Sequence, residues 1–228
     1  MWSSLIAGSG MDIHKPKPWH GAREFLKEFG TIVLGVLVAL GAEQAVEAAH
    51  RYGEVREARD ALREEMKTNT SILAYGLEEL KCLKPQVDAY AGWAAGGAKP
   101  PQFRTVLSRY AFNTWETVKT GPVQHMPLRE RLAISEFYDE MRNAESIINE
   151  QRAAALVLFG ADERKALTPA DAARVLDAVG VEHRVGAFKA GEIRGLLDAA
   201  AKLGVRPPSV TPADRKLLSW QCGGGGAH

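Results

Sequence analysis

The chain has 228 residues, 46% hydrophobic and 25% charged, a composition that supports a folded core and argues against wholesale disorder. Its 29 Lys+Arg and 28 Asp+Glu leave a formal net charge of +1, and no basic face interleaved with aromatics exists, so no nucleic-acid partner is expected. Two cysteines, Cys82 and Cys222, are too few for a disulfide framework or a Cys-rich metal site.

Residues 1–20 read as an N-terminal arm. The stretch MWSSLIAGSG precedes a second methionine at Met11, so residues 1–10 are either a non-native extension or a frayed terminus. His14-Lys15-Pro16-Lys17-Pro18-Trp19-His20 follows, and its alternating prolines favour a short polyproline II arm over a helix. Lys15 and Lys17 are expected to serve as a topology anchor.

From Gly21 the signals are helical, and residues 29–42 form the one strongly apolar block. At ~1.5 Å per residue the block covers roughly 21 Å, short of a ~30 Å hydrocarbon core, so a span borrows neighbours, and residues 21–49 are assigned as a transmembrane helix. Phe29, Ile32, Val33, Leu34, Val36, Leu37, Val38 and Leu40 together favour insertion by roughly 2.4–4.8 kcal/mol. One mid-membrane acid costs about 2.5–3.5 kcal/mol, so Glu43 must sit near the interface, be protonated or face a partner. A cleavable signal peptide, cut near Ala39 and Gly41, is the alternative. Acidic Glu24 and Glu28 in its would-be basic region, and helical patterning through the cut, argue against it. A buried soluble helix is the third reading. Four basic residues flank the block on either side (Lys15, Lys17, Arg23 and Lys27; Arg51, Arg56, Arg59 and Arg63). The short N-terminal side therefore decides orientation, placing the N-terminus inside and the main body outside.

Beyond Glu43 a stripe of Val55, Leu62, Met66, Leu73, Leu77, Leu80 and Leu83 keeps helical spacing, making the membrane helix continuous with a long stalk. Glu54, Arg56, Glu57, Asp60, Arg63, Glu64, Glu65 and Lys67 form its solvated face. Lys84-Pro85 is expected to kink or end the stalk, and Gly96–Pro101 is a loop. A second helix is predicted over 102–120 with Phe103, Leu107, Tyr110, Ala111, Thr114, Trp115 and Val118 inward, stopped by Gly121-Pro122. A third runs from Pro127 through Phe159, turning Leu128, Leu132, Phe137, Met141, Ile148 and Ala155 inward. Thr168-Pro169-Ala-Asp171 starts a fourth, reaching Gly204 through Val175, Leu176, Val179, Phe188, Ile193, Leu196 and Leu197, with a kink allowed at Gly180 or Gly186. Thr211-Pro212-Ala-Asp214 starts a short helix ending near Trp220, within a tail of residues 207–228 that closes on flexible Cys222 and glycines. The class is all-α: a single transmembrane helix continuous with a stalk helix, plus an antiparallel helical bundle over residues 50–206.

Thr31, Gly35, Ala39 and Ala42, at spacings of four, four and three, make a small-residue strip suited to close helix association in a membrane. Glu43 and Gln44 are candidates for polar contacts across that association. Glu47 and His50 form, with Glu43, an acid–histidine set at the membrane edge. The Glu-x-x-His spacing can ligate iron or manganese, but a four-helix di-metal site needs a second such pair and neither His125 nor His183 supplies one. No metal and no cofactor are therefore expected. Aromatics such as Tyr110, Phe112 and Trp115 read as core in preference to a pocket. A Cys82–Cys222 bridge is open to the chain outside the cytoplasm. There is no G-x-S-x-G, phosphate-binding Gly-rich loop, H-E-x-x-H or C-x-x-C, so no catalytic residues are assigned.

At His14-Lys-Pro-Lys-Pro-Trp-His20, Arg23-Glu-Phe-Leu26, Gly35-Val-Leu37, Ala39-Leu40 and Ala42-Glu43-Gln44 the chain resembles a group of uncharacterised proteobacterial proteins with one membrane helix. Trp115, Gly121 and Met126-Pro127 look like the later part of that pattern. The resemblance implies a bacterial inner-membrane protein with a helical periplasmic body, and it carries no activity. The expected function is a non-catalytic, membrane-anchored accessory or scaffold subunit. Its partners would be the lipid bilayer and other membrane subunits, or a second copy. A periplasmic ligand-binding sensor is the alternative, and a metal-dependent enzyme a distant third.

Overall fold

A computed structural model describes residues 21–223, and the predicted polyproline arm and the final glycines lie outside the described residues. Among the described residues there are five α-helices and one 3₁₀ turn, and no strand. Helix α1 runs Ala22–Ala94, α2 Asn113–Val118, α3 Leu128–Asp162, α4 Pro169–Lys202 and α5 Pro212–Gln221, with the 3₁₀ turn at Pro122–His125. The chain is all-α. Two compact units divide it, one ending at His50 and the other beginning at Arg51.

The first unit is the N-terminal part of α1, and none of its described residues is buried. Its apolar side chains are open throughout, with Ile32, Leu34 and Val38 more than 60% exposed. An 18-residue window there reaches a mean hydropathy of 1.8, so this helix is long and apolar enough to cross a membrane.

In the second unit the predicted stripe on α1 is largely confirmed: Val55, Leu62, Met66, Leu73 and Leu83 are buried. The helix does not stop at Pro85 but continues to Ala94. Proline removes one backbone donor, and the Gln86 side chain donates to the nearby Cys82 carbonyl at 3.3 Å. The true end is a glycine cap. Gly96 adopts φ +94°, and Gly97 N–H donates to Gly92 O at 3.0 Å, a Schellman closure.

Residues 102–112 are not helical. Only Asn113–Val118 of the predicted second helix forms, and the segment before it is an irregular strap laid back along α1. Polar side chains of α1 capture its backbone in antiparallel order. Gln86 Oε1 accepts from Arg104 N–H at 2.9 Å, Glu79 Oε1 from Val106 N–H at 3.0 Å, and Asn69 exchanges two 2.8 Å bonds with Ala111. Glu65 then accepts from Thr114 and Trp115 N–H at 2.7 and 3.1 Å. Strap residues 104–111, at ~3.3 Å each, cover roughly 23 Å, while helix residues 69–86 cover roughly 26 Å, so the two match in length.

Because the strap carries the chain back along α1, α3 starts again near the beginning of the unit and runs alongside α1 in the same direction. Arg59 pairs with Glu130 at 2.6 Å, Glu65 with Tyr138 at 2.8 Å, and Tyr90 with Asp162. Helix α4 is antiparallel to both, placing Lys189 on Gln151 at 2.8 Å and His183 on Asp88 at 2.8 Å. Both Thr-Pro-x-Asp starts form as predicted: Thr168/Asp171 and Thr211/Asp214 are reciprocal capping boxes with Pro at the first turn. Helix α4 is continuous through Gly180 and Gly186, and α3 runs past Gly160 to Asp162.

Several predicted core positions face out instead. Leu128 and Leu132 are 58% exposed, Leu176 46% and Phe188 72%. Periodicity assigns an apolar side to each helix, but these positions lie outside the face that α3 and α4 bury. The C-terminal segment is likewise anchored: Gln221 is buried, and Cys222 is bonded to Cys82 with a Cα–Cα separation of 5.1 Å.

Candidate functional site

Two places on the molecule hold chemistry that simple packing does not consume. The first is the exposed part of α1. Thr31, Gly35, Ala39 and Ala42 are all exposed, and apart from the helix's own backbone no described heavy atom lies within 4 Å of a Cβ built at Gly35. At about 100° per residue they fall within roughly 80° of arc, a continuous shallow strip. Thr31 Oγ1 donates to Lys27 O at 2.9 Å, satisfying its hydroxyl within the helix. Glu43 and His50 border the strip, roughly 80° and 60° from its centre, and Glu47 stands roughly 120° from it. Gln44 falls on the far side of the helix, about 180° from the strip's centre, so helix geometry separates it from Glu43.

The second place is a polar layer across the middle of the bundle. It separates two apolar cores. One contains Leu62, Met66, Leu73, Phe137, Tyr138, Met141 and Leu196, and the other Leu83, Val87, Tyr90, Phe103, Leu158 and Val179. Between them lie Tyr75, Glu79, Gln151, Glu182, Lys189 and Gln221, all buried. Glu79 Oε1 accepts from Thr105 Oγ1 at 2.7 Å and Gln221 Nε2 at 2.7 Å, and the Tyr75 hydroxyl donates to Gln221 Oε1. Lys189 Nζ donates to Gln151 Oε1 at 2.8 Å, and Gln151 Nε2 donates to Glu182 Oε2 at 2.9 Å.

This layer is almost fully satisfied. The exception is Glu182 Oε1, which is buried and takes no hydrogen bond. An unpaired buried oxygen of this kind costs about 1–3 kcal/mol, more if charged. Burial pushes the Glu182 carboxyl up to about 7 despite Gln151 and Lys189, and burial pushes the Lys189 ammonium down.

Glu182 also lines a groove of about 350 Å³ between α1 and α4. The groove's walls are Leu80, Leu83, Val87, Gly186, Ala187 and Ala190, with Lys84 and His183 at the rim. Both rim groups are engaged by Asp88, Lys84 Nζ at 2.6 Å and His183 Nε2 at 2.8 Å.

Sequence reasoning missed Glu65, Asn69, Glu79 and Gln86, and placed Glu65 on the solvated face. The structure buries Glu65 at 7% exposure, where it binds two backbone N–H groups and the Tyr138 hydroxyl. A signal existed: 65, 69, 79 and 86 share the three- and four-residue spacing of the apolar stripe, so these polar side chains point inward with it. Among the described residues, no three His, Cys, Asp or Glu side chains come together as a metal would require. Neither the family models, the curated proteins nor the solved structures contain a match to this chain.

Proposed function

We propose that this protein is a membrane-anchored accessory subunit, held in a bacterial inner membrane by the first part of α1 and presenting its bundle on the periplasmic side. The observation that carries this reading is the apolar helix of residues 29–42, in which no residue is buried among the described residues. In water such a surface far exceeds what a soluble monomer leaves open, whereas lipid or a partner helix covers it at no cost. The Cys82–Cys222 disulfide supports the orientation, because structural disulfides persist in oxidising compartments and the bonded unit lies wholly after the apolar helix. The resemblance around residues 14–44 supports the inner membrane. The strip of Thr31, Gly35, Ala39 and Ala42 is the packing face, with Glu43 at its end fixing register across the contact.

The test is purification of the full chain from membranes, with companions identified after mild detergent extraction. Recovery in the membrane fraction after alkaline washing, with one or more membrane subunits or a second copy, is the expected result. Gly35→Leu combined with Ala39→Leu should leave membrane recovery intact and remove the companions. A soluble chain, or companions unaffected by that pair of substitutions, refutes the reading.

A further inference from the structure

The groove between α1 and α4 has a feature that a packing defect lacks: one of its lining residues, Glu182, has a buried carboxyl oxygen without a donor. Glu182 is 3% exposed, its Oε2 is held by Gln151, and its Oε1 has no partner. We propose that this groove is a binding site for a small amine carrying an apolar body, with its ammonium donating to Glu182 Oε1 and its body lying against Leu80, Leu83, Val87 and Ala187. This goes beyond the anchoring role and does not depend on it.

Charge selects the amine over an acid or a neutral alcohol. The nitrogen donors near Glu182 are already committed. Lys84 and His183 are bound by Asp88, and Lys189 donates to Gln151 while Glu79 faces it from α1. With Glu79 and Glu182 sharing Lys189, the layer carries one uncompensated negative charge when both acids are ionised, and a bound ammonium supplies the missing positive charge. Because burial raises the Glu182 carboxyl to about 7, such a ligand would also hold it ionised at neutral pH. Size is consistent as well. At ~30 Å³ per heavy atom, the share of a water molecule in liquid, about 350 Å³ admits roughly a dozen. Gly186 keeps the wall open, since a Cβ there would already stand 4.0 Å from Leu80 Cδ2 and any longer side chain would fill the space.

The experiment titrates 4-phenylbutylamine into the full chain in lipid nanodiscs by calorimetry, subtracting empty nanodiscs. The neutral 4-phenylbutanol and the anionic 4-phenylbutyrate serve as comparisons. Saturable one-to-one binding of the amine, at least tenfold tighter than either comparison, is expected. Glu182→Gln should weaken it at least tenfold, and Gly186→Leu should abolish it. Absence of saturable binding, equal affinity for the three probes, or undiminished binding in a folded Glu182→Gln chain overturns the proposal. Should Glu182→Gln lose helical circular dichroism, Gly186→Leu decides alone, because leucine is the better helix former at that position. Amine binding that survives it refutes the site.

Discussion

Removing the Cys82–Cys222 bridge should destabilise the protein through its unfolded state far more than through its folded one. The bonded residues are 140 apart in sequence, so the bridge closes most of the second unit into one loop. The chain-entropy relation for a loop of that size gives about 5 kcal/mol at 25 °C, near the top of the usual range. The folded state loses little by comparison, because α5 keeps other ties. Gln86 Nε2 donates to Gln221 O at 3.1 Å, Gln221 Nε2 to Glu79 Oε1 at 2.7 Å, and Arg104 Nη1 to Trp220 O at 2.9 Å. The Arg104 guanidinium also stacks 5.2 Å from the Trp220 ring. A Cys82→Ser, Cys222→Ser chain should therefore be native in circular dichroism yet unfold at lower urea, with a loss of about 2–5 kcal/mol. Its urea dependence should steepen, since an unlinked unfolded chain exposes more surface. In intact cells the parent cysteines should resist maleimide until a reductant is added. Equal denaturation midpoints for parent and variant, or free alkylation of the unreduced parent, would refute the reasoning and remove the main support for an oxidising compartment.

Glu65→Ala strands the Thr114 and Trp115 N–H groups and the Tyr138 hydroxyl, and should cost at least about 3 kcal/mol in urea denaturation, while Glu65→Gln costs less by keeping an acceptor. Gly96→Val, forced to φ +94°, should lose about 1–2 kcal/mol, whereas Gly92→Ala, on an open helical face, should gain about 0.4–1 kcal/mol in the same assay. Glu182 gives a pH dependence of definite sign. Its folded carboxyl, at about 7, lies above the unfolded 4.5, so its contribution is complete below 4.5, fades as pH rises and is gone above 7. The stability advantage of Glu182→Gln over the parent should accordingly grow by a few kcal/mol between pH 5 and pH 8, and a difference flat across that range would contradict the assignment.

The parts of this fold that the sequence declares are those decided within a few residues. Thr168-Pro169-Ala-Asp171 and Thr211-Pro212-Ala-Asp214 carry their own start signals, and both helices begin there. The apolar block at 29–42 is legible because nothing else in the chain rivals it. Pro85 misleads because the cost of one lost hydrogen bond, about 3 kcal/mol, is outweighed by Val87, Tyr90 and Trp93 burying on the far side of it. The candidate strip was likewise readable from spacing, but the groove was not. Its walls come from residues 80–87 of α1 and 182–190 of α4, and no local pattern brings those together.

The strap shows why the second predicted helix failed. Phe103, Tyr110 and Trp115 satisfy helical spacing as well as any core helix here, yet Phe103 and Tyr110 are buried from an extended chain. What decides between the two conformations is where the backbone N–H groups find acceptors. Within a helix each would pair locally. Here Glu79, Asn69 and Gln86, together with Tyr90 and Asp162 at Phe103 N–H, offer better-placed acceptors from outside the segment. Glu79, Asn69 and Gln86 follow the apolar stripe of α1, where burial without partners would cost a polar side chain several kcal/mol. The two requirements are complementary: the stripe needs donors and the extended segment needs acceptors. A polar residue in register with a helix's apolar face is thus an instruction about a different part of the chain. The same logic gives Glu182 its meaning, because it is the one member of the inward-facing polar set with an oxygen that nothing in the described chain satisfies.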